Sequence, residues 1–443
     1  MQNLSASLTS VQKAAIPIKG SASDFDKLME DIGEARIVLL GEATHGSHEF
    51  YQTRAMITAR LIEEKKFNAV AVEADWPDAY RVNKFVRSFG DMKQAIESLE
   101  EFKRFPKWMW RNADMLQFVQ YLREHNEELA PESGVGFYGL DLYSLYSSID
   151  AVISYLEKVD PQAAEQARKR YSCFEQYGPE SQSYGLAMRY VHSDCRQQAI
   201  AQLQELRNKS VEYMRRNGFV SQEEQFFAEQ NARVAQDAEE YYRAMFSGRV
   251  SSWNLRDKHM ANTLNELILH LSKFSSPKVV VWEHNSHLGD ARATEVHRYG
   301  EINLGQLLRE RYGNGVFSVG FTTHTGTVSA ASSWGGEVER KNINPSLPES
   351  YEYLFHQTGI PSFYLNLQNN PELDFLKRQH LERAIGVIYL PQSEKVSHYF
   401  RASLPQQFDS VIHIDHTSAV VPLEYESGWE EGEPLPPTYS SGL

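Results

Sequence analysis

Short runs of Val, Ile, Ala and aromatic residues, separated by longer stretches of helical periodicity, recur along the whole chain. They are "RIVLLGE" (36–42), "NAVAVEAD" (68–75), "GVGFYGLDL" (134–142), "KVVVWEHN" (278–285), "GVFSVGFTT" (315–323), "SFYLNL" (362–367), "RAIGVIYL" (383–390) and "DSVIHIDH" (409–416). A run that is apolar at successive positions has no solvent face, so these predict strands covered on both sides. The expected fold is α/β, a mostly parallel central sheet with helices on both faces. Between residues 144 and 276 the pattern is almost wholly helical, as in "SQEEQFFAEQNARVAQDAEEYYRAMF", and predicts a helical lobe inserted between strands. No repeat or Ser/Gly linker divides residues 1–443, so one composite domain is expected, with 425–443 a loose tail rich in Pro, Gly and acid.

In an open parallel sheet, ligands bind beyond the carboxyl ends of the strands. Here the first such run ends in Glu42 and His45, the second in Glu73 and Asp75, the third in Asp141, the fourth in Glu283, His284 and His287, and the fifth in His324. Ionisable residues thus gather where a site would form.

Helix faces add a separate clue. A helix starting near Ser47 places Arg54 with Phe50, Thr58 and Leu61, and "SSWNLRDKHMANTLNELILHL" places Arg256 with Met260, Leu264, Leu267 and Leu271. Both arginines therefore face the core and need carboxylates or a bound anion, for which Glu42, Glu73 and Asp141 are available. Any one such pair is equally what a plain helix-to-sheet ion bridge would give. Two of them meeting acids and histidines from several strand ends favour a site.

H-x-x-H occurs three times, at His45/His48, His284/His287 and His413/His416, a spacing that suits metal ligands or paired acid and base groups. The third pair lies in alternating strand sequence and reads as structural. His48 and Glu49 read as the first turn of the helix.

Charge and cysteine content narrow the partners. The net charge of −14 argues against non-specific binding to nucleic acid or anionic membrane surfaces. Two cysteines, Cys173 and Cys195, offer neither a disulfide framework nor a four-ligand zinc site, and no apolar stretch has signal-peptide or membrane-spanning length. A soluble, cytoplasmic protein acting on a small molecule is expected. No motif bears on its oligomeric state.

The blocks "GEATHGSHEFYQTRAMITARLIEEKKFNAVAVEADWPDAYRVNKFV", "FPKWMWRNADMLQFVQYLREHN", "GLDLYSLYSS" and "VVVWEHNSHLGDARAT" resemble the erythromycin esterase family, with order and spacing agreeing from about residue 34 to about 338. The resemblance implies a hydrolase of carboxylic esters, with macrolide macrolactones as example substrates and antibiotic resistance as the associated role. By position it implies a catalytic His45, with Glu42, Glu73, Arg54, Arg256, His284 and His287 around it. Glu283 departs from the small residue that macrolide-active members more often have there.

Ester hydrolysis needs an activated nucleophile, charge stabilisation for the oxyanion, and a proton for the leaving alcohol. No G-x-S-x-G elbow is present, so water is the expected nucleophile, with His45 as general base oriented by Glu73 or Glu42. Arg54 or Arg256, with His284 and His287, would hold the carbonyl oxygen. No cofactor is expected. In the first alternative, Glu42, His45, His284 and His287 hold a divalent metal such as Zn, Mn or Co. In the second, the cleft binds haem or another apolar ligand without turnover, lined by Trp76, Trp108, Trp110 and Tyr143.

Overall fold

The computed structural model describes residues 2–130, 133–177, 181–188, 195–214, 218–246, 248–425 and Trp429. Its strands are β1 (Ile16–Pro17), β2 (Ile37–Leu40), β3 (Ala69–Asp75), β4 (Gly136–Asp141), β5 (Val279–Trp282), β6 (Val316–Ala330), β7 (Glu339–Ile343), β8 (Ser362–Asn366), β9 (His380–Arg383), β10 (Tyr399–Ala402) and β11 (Ser410–Thr417). Nine form one sheet in the order β1-β8-β11-β6-β2-β5-β3-β4, with β7 paired to the far end of β6. From β11 to β4 every neighbour is parallel, whereas β8, β1 and β7 join antiparallel at the margins. The fold is therefore the mixed α/β one, with helices around a large sheet.

Alternation along each strand feeds two cores. Val38, Leu40, Val280 and Trp282 face one side, against the helices His48–Lys65 and Ala113–Glu127. Ile37, Leu39, Val279 and Val281 face the other, against Arg249–Leu271 and Leu304–Tyr312. All eight residues are at most 2% exposed, so neither face of the central strands meets water.

Between β4 and β5 the described chain is helical, and residues from Leu142 to Tyr242 share a core of their own. The last helix of this stretch, Arg249–Leu271, leaves that core. Met260, Leu264, Leu267 and Leu271 pack on the sheet, which is how Arg256 arrives at the strand ends. Cys173 and Cys195 are joined in a disulfide, their Cα atoms 5.9 Å apart. Two cysteines in helical sequence carry no spacing signature, so this pairing was not expected.

One expected strand is largely absent. Of residues 383–390 only Arg383 lies in a strand, β9, and two others make isolated bridges, Ile385 to Thr44 and Ile388 to Ala331. An apolar run marks burial, not hydrogen-bonding partners, and this one is buried as a wall beside the strand ends. The expected tail, 425–443, lies outside the described residues except for Tyr425 and Trp429, the latter buried with Nε1 donating to Oγ of Ser329. Among the described residues no helix is long and apolar enough to cross a membrane.

Candidate active site

Four adjacent parallel strands, β2, β5, β3 and β4, end at a cleft of about 1030 Å³. Beyond β2 the chain turns sharply through Gly41-Glu42-Ala43-Thr44-His45-Gly46. A Cβ on Gly41 would lie 2.1 Å from Oδ1 of Asn285, and one on Gly46 would lie 1.9 Å from the carbonyl oxygen of Ser329. Only glycine allows these approaches, which hold the turn against β5 and β6. Asn285 completes the clamp: its Nδ2 donates to the Phe321 carbonyl at 2.7 Å and its Oδ1 accepts the Phe321 N–H at 3.2 Å.

Within this frame His45 faces the cleft. Its Nδ1 lies 2.8 Å from Oε1 of Glu42. A carboxylate can only accept, so Nδ1 carries the proton and Nε2 keeps a free lone pair. Behind Glu42, Nη2 of Arg54 is 2.6 Å from Oε2, close enough to pair charge though out of line for a hydrogen bond. Arg54 is 1% exposed, its guanidinium stacked on Tyr51 and Trp282, and it does not line the cleft. The helix periodicity places it on the inward face, and there its charge partner is Glu42.

Arg256 does line the cleft. Its Nε and Nη2 grip Asp141 at 3.0 and 2.7 Å, Nη2 also donates to Oε1 of Glu73 at 2.7 Å, and Nη1 donates to Nε2 of His287 at 2.9 Å. Four of the five guanidinium N–H groups are thus engaged, leaving one on Nη1. The second oxygen of Glu73 accepts the backbone N–H of His284 at 2.9 Å. Burial alone would raise the Glu73 carboxyl, but His287, Arg256 and His45 around it, with that N–H, hold it well below the usual range. Asp141 is likewise lowered, its burial outweighed by Arg256.

His284 is prepared differently. Its Nδ1 accepts the backbone N–H of Ser286 at 3.2 Å and sits 2.8 Å from the Ser286 hydroxyl. The ring proton is therefore on Nε2, which is buried and makes no hydrogen bond of ordinary geometry, the Ala43 carbonyl being the one acceptor that acts on it among the described residues. Burial first, then the neighbouring His45, pull its pKa down to about 3, against weaker opposing pulls from Glu73 and the Ala43 carbonyl. Burial also lowers His45, yet Glu73 and Glu42 outweigh it and its pKa ends above the ordinary 6.5.

The cleft wall carries Phe102, Trp110, Tyr143, Trp253 and Trp334. Of the four aromatics proposed for it, Trp110 and Tyr143 are there, whereas Trp76 packs on Tyr138 and Phe226 and Trp108 lies in the core. Asn112 caps the helix Ala113–Glu127 through the Met115 N–H, while Arg111 pairs with Glu424. His48 pairs with Asp114 and Glu49 caps Ser418, both away from the cleft. His324 falls in the middle of the long β6, stacked on His356 and not at a strand end in the cleft.

Three residues escaped the sequence reading. Ser286 sets the His284 tautomer through a backbone N–H, which no side-chain pattern signals. Asp257, adjacent to Arg256, lies off the helix face used to place that arginine, and meets Nδ1 of His287. Arg104, bonded to Asp75 at 2.8 Å, comes from the loop before Trp108 and lines the cleft. Among the described residues no three His, Cys, Asp or Glu side chains are arranged to hold a metal. The nitrogens of His45, His284 and His287 that meet Glu42, Ser286, Arg256 and Asp257 are turned to those partners.

A histidine and carboxylate cluster at the carboxyl ends of parallel strands, opening on an aromatic cleft, defines an α/β protein built for small-molecule chemistry. Within that class the chain belongs to the erythromycin esterase family, whose model, described as "Erythromycin esterase", matches residues 62–417. Membership supports a hydrolase. The match runs well past residue 338, where the recognisable motifs end, and it begins after Glu42, His45 and Arg54. "Erythromycin esterase type II" of Escherichia coli is 22% identical over 416 residues, covering 89% of this chain and 93% of that protein. A Bacillus cereus protein of solved structure superposes with a TM-score of 0.79 at 21% identity, over 95% of this chain and all of that one. An erythromycin esterase mutant, EreC, solved in its open conformation, does so with a TM-score of 0.68 at 16% identity, over 92% of this chain and 97% of its own.

Proposed function

We propose that the protein hydrolyses a carboxylic ester or lactone by attack of a water that His45 deprotonates. The observation that carries this reading is the orientation of His45: Glu42 holds Nδ1–H, so Nε2 is the nitrogen left to take a proton at the cleft. Glu42 favours the imidazolium that forms, and Arg54 fixes Glu42 from behind. The carbonyl oxygen, gaining charge, would be met by the Nε2–H of His284, which the Ala43 carbonyl holds only weakly, and by the remaining N–H of Arg256. The imidazolium of His45 then returns its proton to the leaving alkoxide.

The cleft is of the size that encloses a drug-sized ligand, and its aromatic wall favours one with a broad apolar surface. A macrolactone fits that description, and the likeness to an erythromycin esterase makes macrolides the first substrates to try. The test is a screen of esters and lactones, macrolides included, with wild type and His45→Gln side by side. The variant should lose at least ~100-fold in turnover with its circular dichroism unchanged. Near-wild-type turnover by the variant would reject His45 as the base.

A further inference from the structure

Asp257 belongs to none of the sequence motifs and does not line the cleft, yet it is fully buried beside it. Both its oxygens lie 3.0 Å from Nδ1 of His287, and Oδ1 also accepts the backbone N–H of Leu304 at 2.8 Å. On the opposite edge of the ring, Nε2 is 2.9 Å from Nη1 of Arg256. A guanidinium has donors and no acceptor, so Nε2 must accept and the ring proton must sit on Nδ1, facing the carboxylate. Trp253 stacks on the ring at 4.5 Å and 9°, which fixes its plane.

We propose that Asp257 is a positioning residue: it holds His287 as the Nδ1–H tautomer, so that His287 anchors one N–H of Arg256 and leaves the other for the substrate. The catalytic consequence rests on the ester-hydrolysis reading, whereas the tautomer does not. Were His287 to carry its proton on Nε2, it would set donor against donor at Arg256 and turn that proton toward Oε1 of Glu73, 3.5 Å away, so that Nη1 of Arg256 would lose its anchor.

Asp257→Asn separates this role from a merely structural one. The Leu304 N–H retains the amide oxygen of the new side chain, so its NH₂ faces Nδ1 of His287. With the carboxylate charge gone and a donor in the place of Oδ2, 3.0 Å from Nδ1, the proton on Nδ1 is opposed and the ring is driven toward the Nε2–H form. A residue that served only to hold Leu304 would leave the tautomer unchanged.

The experiment reads the imidazole nitrogen shifts of full-length protein labelled with ¹⁵N-histidine, with His287→Gln assigning the resonances. It is paired with kinetics on the best ester of the screen. Wild type should show His287 protonated on Nδ1. The Asp257→Asn variant should move that proton to Nε2 and lower kcat about 10- to 100-fold, with KM little changed. A wild-type His287 protonated on Nε2 overturns the proposal, and this measurement needs no variant of Asp257 to fold. So does a folded Asp257→Asn protein whose tautomer or kcat stays as in wild type. If no ester is turned over, the hydrolase reading falls alone and the tautomer still decides the role of Asp257.

Discussion

The rings of His45 and His284 lie 4.8 Å apart between centroids, and their surroundings prepare them in opposite senses. Despite burial, Glu73 and Glu42 leave His45 readier to take a proton, while burial and His45 itself keep His284 a neutral donor down to about pH 3. In the proposed hydrolysis one strand end would supply a base and the next a hydrogen-bond donor that does not need to be charged.

His284→Gln should therefore reduce kcat about 100- to 1000-fold, as expected for loss of a donor to a developing oxyanion, with a smaller effect on KM. Ser286→Ala should cost under about tenfold, because the backbone N–H that fixes the tautomer remains. Steady-state kinetics on both variants checks the order. Equal losses would mean that the hydroxyl, and not the backbone, sets the ring.

As the proposed base, His45 would act only when neutral, and its pKa is raised above the ordinary 6.5. kcat/KM should thus fall toward acid along a limb centred above pH 6.5. Glu73→Gln removes the larger of the two charges that raise it, so the limb should move to lower pH. The same group adds stability that is full below 6.5 and fades as pH rises through its folded value. A limb that stays in place in the Glu73 variant would assign it to another group.

Arg54 and Glu42 form a buried pair at 2.6 Å. Glu42→Gln leaves the guanidinium without its counter-charge and should destabilise the fold by about 3–5 kcal/mol. Adding Arg54→Met should recover much of that loss, since an apolar side chain suits the site between Tyr51 and Trp282, without recovering turnover. Chemical denaturation of the single and double variants, beside their activities, separates the pair's structural part from its catalytic one.

Glu283 is buried, and neither carboxyl oxygen has a hydrogen-bond partner. Burial, reinforced by Glu73 and Asp257, drives its pKa well above the usual range. Folding therefore keeps it protonated where the unfolded chain would ionise, so its contribution to stability falls as pH rises above the ordinary carboxyl value. Glu283→Gln should match wild type near pH 4 and exceed it by about 1–3 kcal/mol near pH 8. Unfolding curves at the two pH values decide, and no gain at pH 8 would show the carboxylate is stabilised in place.

Much of this was legible in residue order because burial leaves periodic traces. Doubly apolar runs marked the central strands, the parallel-sheet rule put Glu42, His45, Glu73 and His284 at one edge, and helix periodicity turned Arg54 and Arg256 inward. What periodicity cannot state is the partner. It could not tell that Arg54 stops at Glu42 while Arg256 reaches the cleft, nor that a backbone N–H governs His284. The segment 383–390 has the apolarity of a strand but finds few hydrogen-bonding neighbours. Cys173 and Cys195 meet only because the lobe folds its helices against each other.

The cleft is assembled from two kinds of segment. Glu42, His45, Glu73 and His284 hang on strand ends locked by close backbone contacts, whereas the outer wall comes from stretches near Phe102, Trp334, Ala384 and Phe400. The stretch at Ala384 is tied to the turn by the Ile385 backbone, which bonds to Ala43 and His45, and those ties leave its side chains facing the cleft out of the bonding. A change of ligand shape could thus be met in the outer wall, with the charged cluster at the strand ends left as it stands.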